Sequence, residues 1–506
     1  MNPSLLEPVS TQTKKNLVKK DKMESQIIFE LSKPGKRSFV FPKCDVPEKK
    51  LNQVVPEKFL RRAKPELPEV AEIEIVRHYT NLSRKNFSID THFYPLGSCT
   101  MKYNPKIHEE VAKLPGFAHL HPYAPQAWSQ GILQVLHELE QLLCQISGMD
   151  RMSLQPAAGA HGELLGLLLT RAYHIDQGGN PRKKVILPDS SHGTNPASAH
   201  IAGYEVVSLK TDANGEVDIE ELKKIVDKET AALMITNPNT LGLFERKILQ
   251  IQKVMHDVGA LLYYDGANLN PLLGVARPGD MGFDIVHINV HKTFTTPHGG
   301  GGPGAGPVGV KKRLEKYLPV PTVEKVGEEY RLRYDNPASI GKIRSFVGSV
   351  GILLRAYTYI RSLGQEGLEN VGKGAIINAN YLLAKLKKVY SLPYNRTCMH
   401  EFVLSTKGVG SDLHAIDVAK RLIDLGFHPP TIYFPLIVPE AVMIEPTETE
   451  SKQTLDAFAQ AMIQIVKESQ ENPELLHDSP RTMPVSRPDE TTAARQPKLR
   501  WHPPSI

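Results

Sequence analysis

Between about residues 126 and 310, short apolar runs alternate with segments whose apolar residues recur at helical spacing. The runs at 184–187, 205–208, 232–236, 261–264 and 285–290 are compact and bounded by polar residues, and they read as buried strands. The segment 130–144 places Ile132, Leu133, Leu136, Leu139 and Leu143 on one helical stripe. A second helix is expected from Leu164 onward. Strands alternating with helices predict βαβ units and a largely parallel sheet. After about residue 330 the pattern changes. Helices are expected at 347–363 and 374–389, and strands at 401–405 and 432–438, which is the pattern of a second, smaller α/β domain.

The ends read differently. Residues up to about Ser25 form a polar tail, in which the lysines between Lys14 and Lys22 are a solvated charge run. From Gln26 to about Arg77 the chain is rich in proline and charge, as an arm wrapping a partner surface would be, and a helix starts near residue 71. The expected division is 1–90 for tail, arm and first helix, 91–330 for the large domain, 331–468 for the smaller domain and 469–506 for an extended tail.

Composition narrows the class without choosing a function. The 506 residues are 41% hydrophobic and 23% charged, ordinary for a globular protein with a large core. A net charge of +6 is too diffuse to point to nucleic acid but suits an acidic protein partner. No apolar run approaches the length of a membrane span, and no signal-peptide stretch opens the chain. Cys44, Cys99, Cys144 and Cys398 lack zinc-ligand spacing, so neither a metal site nor a disulfide framework is expected, and a reducing cytoplasm is the simplest setting.

The chemistry gathers at strand ends, where open α/β sheets bind ligands. The run 261–264 ends in Asp265. The run 285–290 ends in His291 and Lys292, followed by Gly299, Gly300, Gly301, Gly302, Gly304 and Gly306. A lysine able to form a Schiff base and a carboxylate able to hold a pyridine nitrogen protonated are what pyridoxal phosphate (PLP) requires. The glycine run is no Walker loop, because no Gly-Lys-Ser/Thr closes it. Ala158, Gly159 and Ala160, at an expected helix start, offer backbone N–H groups to a phosphate. His192, after the run 184–187, is placed to stack on the pyridine ring, with His161 a competitor. Asn237 and Thr240, after the run 232–236, are within reach of the phenolic oxygen. Lys292 or His291 can move protons. Nothing in the spacing separates decarboxylation from transamination, racemisation or β-elimination. A non-catalytic scaffold subunit is the rival from another class, and Lys292 argues against it.

Four long motifs carry a resemblance. They are residues 91–106 (THFYPLGSCTMKYNPK), 154–163 (LQPAAGAHGE), 191–198 (SHGTNPAS) and 289–307 (NVHKTFTTPHGGGGPGAGP). Together with the arm near 28–35 and the tail near 493–501, they closely resemble the glycine cleavage system P-protein family, in the second subunit of its two-subunit form. The resemblance implies a fold-type I PLP-dependent transferase, aspartate aminotransferase-like, with a large three-layer α/β/α domain and a smaller C-terminal α/β domain. It implies glycine decarboxylation, with the aminomethyl group passed to the lipoyl arm of the H-protein, and a heterotetramer of two copies each of subunit 1 and subunit 2. The split form is prokaryotic, in keeping with a cytoplasmic location. The family's Schiff-base lysine, which holds PLP as an internal aldimine, falls on Lys292, its pyridinium aspartate on Asp265 and its stacking histidine on His192. The loop 91–106 is the expected place for substrate or lipoyl contacts through His92, Tyr94, Ser98 and Thr100, or else for a subunit interface. Arg344 and Arg355 are candidates for the glycine carboxylate, although a tight salt bridge there would hinder loss of that carboxylate.

Overall fold

The computed structural model describes residues 26–63, 65–298 and 304–502. Gly299, Gly300, Gly301 and Gly302 of the glycine run, and the tail before Gln26, lie outside the described residues. The chain divides into two compact units at Ser88 and Ile89.

The described part of the first unit is largely irregular. The one long helix among its described residues, Glu72–Arg84, buries none of its side chains. Glu74 caps that helix by accepting a hydrogen bond from the Ala71 N–H at 2.8 Å. Phe39, Val40, Phe41, Leu51, Phe59 and Leu67 are all exposed, as in a segment that has not buried its apolar side chains within itself.

The second unit is built on a seven-stranded sheet. Its strands are β1 (Arg151–Ser153), β2 (Lys184–Pro188), β3 (Glu205–Leu209), β4 (Thr230–Thr236), β5 (Leu261–Gly266), β6 (Ile285–Ile288) and β7 (Val308–Val310), in the order β1-β7-β6-β5-β4-β2-β3. The five expected strands pair in parallel, and β7 and β1 add an antiparallel edge. All seven residues of β4 are buried, because helices cover both faces. On one face Val185, Met234, Tyr263 and Ile285 pack with Leu165 and Leu169 of helix Gly159–Gly178. On the other, Ile186, Leu233, Leu262 and Val286 pack with Leu136, Leu139 and Leu143 of helix Gln130–Ser147.

A hairpin of β8 (Thr322–Val326) and β9 (Glu329–Arg333) follows. The smaller sheet has the order β10 (Phe402–Ser405), β12 (Ala441–Ile444), β11 (Thr431–Ile432), all antiparallel. Phe402, Leu404, Val442 and Ile444 pack there against Phe458, Met462 and Ile465 of helix Lys452–Glu471.

Four expectations about elements need correction. The strand expected at 432–438 stops at Ile432, because Tyr433 takes a positive φ of 59° and Pro435 has no N–H to donate. The strand expected at 285–290 ends at Ile288, and Val290–Thr293 is already a helical turn. The two helices after 330 are one element, Val350–Leu386, broken only at Gly364, where φ is 62° and ψ −171°. The chain after 469 is also more folded than an extended tail. It forms helix Pro473–His477 with Leu476 buried, and Arg487 reaches Asp417 at 2.6 Å.

Candidate active site

The chemically loaded segments follow the carboxyl ends of parallel strands. β2 leads to His192, β4 to Thr240 and β6 to Lys292, while Asp265 is the penultimate residue of β5. These ends enclose one cavity with the start of helix Gly159–Gly178. Gly159, Ala160, His192, Thr240, Asp265 and Lys292 all line it, as does His291.

At the helix end, Ala158 is the N-cap, with extended backbone and no side-chain hydrogen bond to the first turn. The N–H groups of that turn are left for an anion, and the helix dipole favours one. Backbones meet closely here. A Cβ on Gly306 would lie 2.1 Å from the Ala158 carbonyl oxygen, and one on Gly159 would lie 2.2 Å from Asn289 Oδ1. Glu163 ties this helix to Thr194–Ile201, accepting hydrogen bonds from Thr194 Oγ1 at 2.8 Å and Ser198 Oγ at 3.0 Å.

Across the cavity, Asp265 is buried and well supplied with partners. Its Oδ2 accepts from Asn195 Nδ2 at 2.9 Å, and its Oδ1 accepts from the Ala267 N–H at 3.0 Å. His287 Nε2 lies 3.1 Å from Oδ1, at ion-pair distance but off the line of a hydrogen bond. Burial alone would raise the Asp265 pKa, but the charge of His287 and the hydrogen bonds outweigh it and hold the carboxyl well below its usual range. Burial likewise opposes a charged His287, and Asp265 overcomes it, so the histidine titrates above its ordinary value.

Lys292 Nζ donates to the Ser98 carbonyl at 2.7 Å. Burial, His298 and Lys292 push His291 down to about 3, so its ring is neutral near pH 7 and a weak base. His192 Nδ1 lies 2.9 Å from Thr194 Oγ1, and its ring stands edge-on to Phe434. Its pKa is lowered by burial and by Lys292.

Some expected residues stand elsewhere. Asn237 is buried and does not line the cavity, its Oδ1 accepting from the Glu245 N–H at 2.9 Å. Tyr94 stacks flat on His428 at 3.5 Å between ring centroids, and His92 Nδ1 lies 2.6 Å from Thr91 Oγ1, so of the four loop residues only Ser98 lines the cavity. Thr100 is buried, and its N–H donates to Glu445. His161 accepts from the Ala157 N–H. Arg355 is engaged by Glu109 through two contacts of 2.7 and 2.8 Å, and Arg344 reaches Gln155 O and Ser349. Sequence reasoning missed Glu163, Asn195 and His287 as partners of the site. His287 was findable in principle, because it lies directly opposite Asp265 in the β5–β6 register.

Two family models match this chain, the glycine cleavage system P-protein over residues 47–328 and the glycine dehydrogenase C-terminal domain over 371–481. The chain belongs to the glycine cleavage system P-protein family. It is 58% identical to the probable glycine dehydrogenase (decarboxylating) subunit 2 of Caldanaerobacter subterraneus subsp. tengcongensis, covering 94% of this chain and 99% of that one. The protein of the same description from Thermotoga maritima is 57% identical over 94% of this chain and 99% of its own length. Among solved structures, an inhibitor-bound glycine decarboxylase (P-protein) superposes with a TM-score of 0.70 at 20% identity, covering 91% of this chain and all of that one. A cysteine desulfurase from Thermococcus onnurineus NA1 gives 0.58 at 17% identity over 74% of this chain and 95% of that one. The fold of this family member is therefore fold-type I of the PLP-dependent enzymes.

Proposed function

We propose that this chain is the PLP-bearing subunit of a glycine dehydrogenase (decarboxylating), with Lys292 as the covalent attachment point of the cofactor. The observation that carries the reading is the convergence of a lysine, an ionised buried carboxylate and an open helix N-terminus on one cavity, in a chain 58% identical to a relative of that description. PLP fits these groups. Its phosphate suits the N–H groups at Gly159 and Ala160, and its ring nitrogen suits Asp265. When bound there, PLP supplies an electron sink for the pair released as the glycine carboxylate leaves.

The protein's own residues do the rest. Asp265 stays ionised through His287, Asn195 and the Ala267 N–H, and so keeps a pyridine nitrogen protonated. His192, which lines the same cavity, would stack on the ring. The neutral His291 lines the cavity beside Lys292 and adds no competing positive charge there, and the Lys292 nitrogen has the Ser98 carbonyl as its hydrogen-bond partner. Subunit 1 as partner, a two-plus-two heterotetramer, the lipoylated H-protein as acceptor of the aminomethyl group and a bacterial cytoplasmic setting complete the reading. The bacterial relatives support it, as does the absence, among described residues, of a helix long and apolar enough to cross a membrane.

Borohydride reduction of the PLP-loaded protein, followed by peptide mass spectrometry, tests the attachment. The expected result is a pyridoxyl group on Lys292, and none in Lys292→Ala. A pyridoxyl group on another lysine would overturn the assignment.

A further inference from the structure

The smaller sheet reaches into the active site through the loop 95–100. The loop is fastened to β12, where Leu96 bridges Ile444, the Glu445 N–H donates to the Pro95 carbonyl at 3.2 Å, and a Cβ on Gly97 would lie 2.2 Å from Met443 Cγ. Thr431 Oγ1 adds a hydrogen bond to the Gly97 carbonyl at 2.8 Å. Beyond Gly97 the backbone is strained, with φ of 63° at Ser98 and 49° at Thr100, neither of them glycine. Two carboxyl groups hold this conformation. Glu401 Oε2 accepts from the Ser98 N–H at 2.7 Å, and Glu445 Oε2 accepts from the Thr100 N–H at 2.9 Å. Both glutamates are fully buried. The far side of the same Ser98 residue presents its carbonyl to Lys292 Nζ.

A buried pair of carboxyl groups without a close counter-ion is costly. His400 is no counter-ion. Its Nε2 lies 3.7 Å from Glu401 and 3.9 Å from Glu445, neither ring nitrogen has a hydrogen-bond partner, and burial with Lys292 and Lys102 pushes its pKa down to about 3. Burial pushes both carboxyls up, with Glu445 adding to the effect on Glu401. Cys99, Lys102 and Lys292 are the other titratable groups whose charges reach the pair. The groups are therefore placed for geometry rather than for favourable charge, and what they hold is the carbonyl that meets the lysine.

We propose that Glu401 and Glu445 are positioning residues for the reaction at Lys292, fixing the 98–100 loop by its N–H groups so that the Ser98 carbonyl receives the lysine amine. This rests on the PLP reading above and adds a part to it that no lining of the cavity alone reveals. Misplacing a partner of a reacting group by about 1 Å costs up to about a hundredfold in rate. The test compares Glu401→Ala and Glu445→Ala with Glu401→Gln and Glu445→Gln, whose amide oxygen can still accept the N–H. The first readout is the pH midpoint of the bound cofactor's visible absorbance, which reports the group attached to Lys292 and needs no glycine. The second is kcat against KM for glycine.

The alanine variants are expected to shift the spectral midpoint and lower kcat about tenfold or more, with KM for glycine changed far less. The glutamine variants are expected to recover most of both. A wild-type midpoint and kcat in the alanine variants would overturn the proposal, as would glutamine variants impaired as badly as alanine. A stoichiometric bound metal ion found by elemental analysis would also overturn it, by giving the carboxyls another task. Should the alanine variants fail to fold, Thr431→Val loosens the same loop from its half-exposed side, and an unchanged midpoint there counts against the proposal. If the wild-type enzyme binds PLP but does not turn over glycine, the function reading fails while the spectral comparison still decides this one.

Discussion

Asp265 and His287 face one another at 3.1 Å, side by side on adjacent parallel strands, with neither side chain open to solvent. The parallel register sets this pair, and the pair sets the ionisation of the carboxylate proposed to meet the ring nitrogen. Asp265→Asn keeps the shape but removes the charge. Turnover is expected to fall by about 10²-fold or more, the scale of losing one preorganised electrostatic partner. Asp265→Ala also leaves His287 buried without its partner, and should cost about 3–5 kcal/mol of stability. Steady-state kinetics and denaturant unfolding of both variants check this.

The same pair gives a pH dependence with a definite sign. The His287 pKa is raised on folding, so its contribution is fully present below its ordinary value of 6.5 and is lost as pH rises through the raised folded value. The Asp265 pKa is lowered, so its contribution is present above its ordinary 3.8 and is lost only as pH falls toward the lower folded value. Thermal unfolding of the cofactor-free protein should therefore show a decline on the alkaline side that flattens in His287→Gln. An equally steep alkaline decline in that variant would show that another group is responsible.

The helix start proposed to hold the phosphate makes a separate demand. A methyl group on Gly306 would meet the Ala158 carbonyl at 2.1 Å, at the N-cap of helix Gly159–Gly178. Gly306→Ala must push the two backbones apart, at about 1–3 kcal/mol for overpacking. If that strain falls on the cradle, PLP affinity should weaken by about tenfold, the equivalent of 1.4 kcal/mol. Equilibrium PLP binding reads this directly, and the Lys292 peptide should remain the point of attachment.

How much of this was legible from the sequence depends on how far each residue acts from its own segment. Lys292, Asp265, His192 and the 158–160 turn each stand at the end of an element visible in the chain, so alternation of apolar runs was enough to bring them to one rim. His287 and Asn195 act through Asp265, and their role follows only from which strand lies beside which and in what register. Glu401 and Glu445 are farther still, more than 130 residues beyond Asp265, and contact the site through the backbone of another segment. The loop 91–106 was legible as unusual, but not which of its side chains reach the cavity; of the four singled out, only Ser98 lines it. Tyr94 is spent on His428, and what the loop brings to the lysine is a main-chain carbonyl, on which side-chain chemistry is silent.

The most direct test of the central claim is exchange of labelled bicarbonate into the carboxyl group of glycine. The PLP-loaded chain would be assayed with lipoylated H-protein, with and without subunit 1, beside Lys292→Ala. The account predicts exchange in the complete mixture that is lost with Lys292→Ala. No exchange in the complete mixture, with PLP demonstrably attached to Lys292, would contradict glycine as the substrate.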